Sequence, residues 1–122
     1  MRFFNEPQAL EAVRGVEIVV TIHGQADTEE EFVVIGGLDT ELESEIEREL
    51  IGSGFQILEP PEKLKAIDPR NICNRGSLGR GVQLEISRRL RDSLRKDGDL
   101  LRKFADAIRR KVRVHLEKAN PS

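Results

Sequence analysis

Val16-Glu17-Ile18-Val19-Val20-Thr21-Ile22, closed by His23-Gly24, and Phe32-Val33-Val34-Ile35, closed by Gly36-Gly37, are the two runs that decide the fold. Both are short, rich in β-branched residues and bounded by glycine, so they read as strands. A strand with one wet face alternates apolar and polar side chains; these runs are nearly all apolar. Such strands are expected where helices cover both faces of a sheet.

Working outward, the flanking segments supply the helices. Leu10 and Val13, after Pro7, predict a short helix over 6–13 that ends at Gly15. Downstream, Leu38, Leu42, Ile46 and Leu50 recur every four residues, Thr40 and Glu43 can form a capping box, and Gly52 and Gly54 supply the stop. Phe55-Gln56-Ile57-Leu58 reads as a third strand, halted by Pro60-Pro61, and Val82-Gln83-Leu84-Glu85-Ile86-Ser87 as a fourth. Ser87 can cap a helix with Leu90 and Leu94 inward, ending near Gly98. A last helix from about Asp99 carries Leu101, Phe104, Ala105, Ile108 and Val112 as its apolar stripe. The expected class is therefore α/β: one domain over residues 1–122, with a mixed or parallel sheet of about four strands flanked by helices.

Composition narrows the function classes. With 38% apolar and 34% charged residues, the chain has no run near the roughly 18 apolar residues of a membrane span. No apolar leader follows Met1-Arg2-Phe3-Phe4, so the default compartment is cytoplasmic. Cys73, the single cysteine, cannot make an internal disulfide and reads as a small buried filler more than a reactive thiol. The net charge of −2 hides an acidic first part and a basic remainder from Arg75 onward. Arginine-rich helix faces can meet an anionic polymer or nucleic acid, or simply balance the acidic part. The absence of Trp and Tyr, and the scatter of the five Phe, disfavour nucleic acid.

The segment from Asp68 to Ser87 carries the least ordinary composition. Its Asn, Arg and Gly residues belong to a long connection, Glu59 to Gly81, between the third and fourth strands, whose apolar spots Leu64, Ile67, Ile72 and Leu78 predict an ordered loop beside a site. Glu85 alternates against Leu84 and Ile86, so it is either a solvent-facing glutamate or a half-buried acid/base with a raised pKa. His23, at a strand end before glycine, is a candidate metal ligand or base, or a histidine bonded to a nearby carbonyl. Arg75 and Arg80 divide between loop salt bridges and clamps for substrate carboxylates. Asn71 and Asn74 divide between the substrate and the loop's own backbone. His115 receives no role.

Taken in order, Phe4-Asn5-Glu6-Pro7, Ile22-His23-Gly24, Gly36-Gly37-Leu38-Asp39, Asn71-Ile72-Cys73-Asn74-Arg75-Gly76 and Gly79-Arg80-Gly81-Val82-Gln83-Leu84-Glu85 resemble the phage-type poly-γ-glutamate hydrolase family over nearly the whole chain. The resemblance implies a zinc-dependent hydrolase with a carboxypeptidase-like α/β fold that cuts γ-glutamyl amide bonds in an acidic capsule polymer. It implies that His23 matches the family's third zinc ligand and Glu85 the catalytic glutamate. Arg75, Arg80 and Asn74 would then bind the substrate. The family's first two zinc ligands, a closely spaced His and Glu, precede the segment matched here, which points to an incomplete carboxypeptidase-like domain. A sheet cut in this way would have an open edge and a tendency to self-associate. The competing expectation is a metal-free remnant or binding domain that holds an acidic polymer or nucleic acid through the loop and the basic helices.

Overall fold

The computed structural model describes residues 20–25, 30–62 and 65–119. The helix expected over 6–13 and the start of the first expected strand lie outside these residues. In chain order the elements are β1 (Val20–Gln25), β2 (Val33–Gly36), α1 (Thr40–Gly52), β3 (Ile57–Leu58), a 3-10 turn (Ile72–Asn74), β4 (Val82–Ser87), α2 (Arg88–Lys96) and α3 (Gly98–Ala119). The strands form one sheet in the order β1-β4-β2-β3. β1 runs parallel to β4 and β2 parallel to β3, whereas β2 and β4 are antiparallel, so the α/β sheet is of the mixed kind.

Strand register sorts the side chains into two faces. Val82, Leu84 and Ile86 of β4 share one face with Val33 and Ile35 of β2, and there they meet Leu42, Ile46 and Leu50 of α1, Leu90 and Leu94 of α2, and Phe104, Ala107 and Ile108 of α3. All three described helices pack on that face. The other face carries Gln83 and Glu85, and the loop ahead of β4 covers part of it through Asn71. A polar pair in an inner strand needs hydrogen-bonding partners, and a loop of Asn residues supplies them where the apolar stripe of a helix cannot. Val34, on this loop-covered face, is nonetheless buried.

α1 begins one residue earlier than a Thr40 cap would allow. Asp39 is the N-cap, its Oδ1 accepting the Leu42 N–H at 3.1 Å, so the expected Thr40–Glu43 capping box does not form. Leu42, Ile46 and Leu50 are fully buried, each adding about 1.5–3 kcal/mol of hydrophobic stabilisation. Phe55, expected in β3, instead meets Phe104 edge to face with ring centroids 5.3 Å apart. The acidic outer flank of α1 faces the basic part of α3 through Arg110–Glu49, Lys111–Glu45 and Lys111–Glu49 ion pairs. Part of the charge asymmetry in the sequence is therefore balanced within the fold.

Candidate active site

In the parallel register of β1 and β4, His23 is the partner of Glu85. Partners in adjacent strands project to the same side, so both lie on the face away from the helices. His23 is exposed on its edge strand, whereas Glu85 retains only 8% of its surface. Of the two readings of Glu85, the structure selects the buried one. Burial pushes its carboxyl above the usual glutamate value, and the nearby His23 charge pulls it the other way. A carboxyl group raised by desolvation beside an imidazole is suited to taking up and returning a proton.

Gln83 lies two residues before Glu85 on the same face and donates through Nε2 to Glu85 Oε1 at 3.3 Å. Its own Oε1 accepts from Asn71 Nδ2 at 3.3 Å, and Asn71 Oδ1 accepts the Cys73 N–H at 3.1 Å. The long loop thus reaches the buried acid through two neutral amides. Cys73 is fully buried and desolvation pushes its thiol up to about 12, so it behaves as a filler and not as a nucleophile.

The structure separates Asn74, Arg80 and Arg75 from one another in their contacts. Asn74 donates to the carbonyls of Ala66 and Asp68 at 2.8 and 3.0 Å, and its Oδ1 accepts the N–H groups of Leu38 and Gly81 at 3.1 and 3.0 Å. Its hydrogen-bonding capacity is spent on four main-chain groups, which makes it a clamp of the loop and corrects its assignment to the substrate. Arg80 Nε contacts Asp39 Oδ2 at 3.3 Å, and His115 Nε2 meets the same oxygen at 2.8 Å. Since that oxygen is an acceptor, Nε2 of His115 carries the proton. Arg80 precedes the amino end of β4 and Glu85 lies five positions further on, on the order of 16 Å along an extended chain, in its carboxyl half. Arg75 is exposed and forms no ion pair with another described residue.

Gly37 completes the junction at the amino end of β4. Its φ of +127° suits glycine, and a Cβ there would lie 2.2 Å from the Gly81 carbonyl oxygen. Sequence reading overlooked Asp39, His115 and Gln83 as organising residues, and gave Asn71 the loop backbone but not Gln83 as a partner. The period-two placement of Gln83 beside Glu85 was a usable signal; the meeting of Asp39 with His115 across 76 positions had none.

A catalytic zinc takes three protein ligands, commonly His and carboxylate. Among the described residues no group of three or more His, Cys, Asp or Glu side chains could hold a metal ion. His23, an exposed imidazole beside a buried carboxyl, fits as one ligand, but the described residues do not by themselves make a catalytic zinc site. None of the described helices is long and apolar enough to cross a membrane.

A mixed sheet whose described helices lie on one face, a histidine and a buried glutamate paired across adjacent strands on the other, and a Gly/Asn/Arg loop leading to the glutamate define a mixed-sheet α/β protein. The chain belongs to the poly-γ-glutamate hydrolase family, whose sequence profile matches residues 2–112. It is 35% identical to the SPbeta prophage-derived UPF0714 protein YoqZ of Bacillus subtilis (strain 168) across 69% of this chain and 31% of that one. To the UPF0714 protein YndL of the same strain it is 31% identical, across 75% of this chain and 36% of YndL. The chain thus spans roughly a third of the length of these relatives. Among solved structures it superposes on a bacteriophage poly-γ-glutamate hydrolase with a TM-score of 0.82 at 30% identity, covering 93% of this chain and 60% of that one. The apo, zinc-free form of YndL gives 0.79 at 25% identity, covering 90% and 60%.

Proposed function

We propose that this chain carries the proton-transfer half of a γ-glutamyl amide hydrolase acting on an acidic polymer such as poly-γ-glutamate. The observation that carries this reading is the register pairing of exposed His23 with buried Glu85. Glu85 takes the proton of the attacking water and returns it to the leaving nitrogen. His23 serves as one zinc ligand, in keeping with a relative whose structure is described as zinc-free; the remaining ligands come from outside the described residues. Exposed Arg75 is the arginine available for a substrate carboxylate. The test is depolymerisation of poly-γ-glutamate by the polypeptide that carries this sequence. Glu85→Gln is expected to lower kcat by about 10²–10⁴, and His23→Ala to abolish zinc retention. Undiminished turnover in Glu85→Gln would overturn the reading.

A second reading is favoured by α2, whose Arg91, Arg95 and Lys96 form no ion pair with another described residue. It makes the chain a metal-free holder of an acidic polymer, recognised by binding that ignores chelators and weakens steeply with salt. We also propose self-association at β1, the terminal strand among the described residues, where Ile22 is 52% exposed. Sedimentation should show concentration-dependent dimers, suppressed by Ile22→Lys; a monomer at all concentrations would refute it.

A further inference from the structure

The order of hydrogen bonds leading to Glu85 is fixed from one end. A backbone N–H can only donate, so the Cys73 N–H fixes Asn71 Oδ1 as the acceptor and turns Asn71 Nδ2 toward Gln83. Gln83 must then present Oε1 to Asn71, which leaves Nε2 for Glu85. Had the Asn71 amide been reversed, Gln83 would present an oxygen to Glu85, and the contact would be repulsive whenever that carboxyl is ionised. The three side chains are each at most 8% exposed, so water is poorly placed to repair a reversed amide.

We propose that Asn71 and Gln83 are positioning residues that form a directional relay from the loop main chain to Glu85, keeping Oε1 of Glu85 as an acceptor and leaving Oε2 as the oxygen that takes the proton. The functional meaning rests on Glu85 being the base; the relay itself is testable without hydrolysis. It also explains why a loop of this composition precedes β4. The 3-10 turn at Ile72–Asn74 supplies the fixed N–H, while Asn74 anchors the turn to the backbone around it.

The test inverts the relay and then restores it. Asn71→Asp has an acceptor at both oxygens, so Gln83 must turn its amide and aim its own oxygen at Glu85. The melting temperature should fall by about 5 °C, as loss of roughly 1 kcal/mol does in a domain of this size. Adding Glu85→Gln supplies an N–H for the turned amide and removes a negative charge. The double variant should therefore recover most of that loss, over and above whatever Glu85→Gln alone gives at the same pH. The coupling must vanish when Gln83 is replaced by Met, because simple repulsion between residues 71 and 85 would survive that change. Additive shifts, or coupling that persists in the Gln83→Met background, overturn the relay. Hydrolysis of poly-γ-glutamate bears separately on Glu85 as base, so either idea can fail without the other.

Discussion

The two ends of β4 are built from similar residue types and behave in opposite ways. At its amino end, Asp39, Arg80, His115 and Asn74 meet charge with charge and amide with backbone, and Asn74 has no polar capacity left over. At its carboxyl end, buried Glu85 has, among the described residues, a neutral amide donor from Gln83 and an exposed imidazole in the next strand. Saturation marks the first end as structure. The second keeps an acid away from full compensation, which is how a site holds a carboxyl group ready for proton transfer.

The comparison breaks if the saturated end proves dispensable. Asn74→Ala would leave the N–H groups of Leu38 and Gly81 and the carbonyls of Ala66 and Asp68 without their partner. Unmade bonds cost about 1–3 kcal/mol each when dry, and with water reaching some of them a total loss of about 4 kcal/mol is expected in denaturant titration. Asp39→Ala removes the cap of α1 and strips buried His115 and half-exposed Arg80 of their carboxylate, for an expected loss of about 3 kcal/mol. A change below about 1 kcal/mol in both variants would show that the amino end is no more committed to structure than the other.

How far these ends were legible in the sequence differs for a physical reason. Strand β4 and the inward Leu84 and Ile86 follow from a period of two, and so does the placement of Glu85 on the opposite face. α2 and its Ser87 cap, with Oγ accepting the Leu90 N–H at 3.2 Å, are equally local. The amino end was not legible because its bonds join residues far apart: Asp39 to Arg80, Asp39 to His115, and Asn74 to Leu38. The same Asn and Arg side chains that look like substrate clamps in a loop can instead tie that loop down, and composition does not distinguish the two. Continuous apolar sequence in β2 reports the burial of Val34 without saying what covers it.

A smaller effect sharpens the contrast at the carboxyl end through pH. Burial holds the folded value of Glu85 above the ordinary 4.5, with the His23 charge opposing it. The neutral acid is thus the form the fold prefers. Its contribution to stability is fully present below the unfolded value and is lost as pH rises through the folded one. Gln at this position stays neutral throughout and still offers an acceptor to Gln83. The stability of Glu85→Gln relative to the parent should therefore climb as pH is raised from just below 4.5 and level off once the folded carboxyl is ionised. Glu43, raised by its own burial and by Glu47 and Glu59, titrates in the same direction but is common to both proteins and cancels. Thermal melts of the two proteins across that range, without added metal, measure the difference directly. A flat or falling difference would mean that Glu85 is as well compensated as Asp39, and the distinction between the two ends of β4 would be lost.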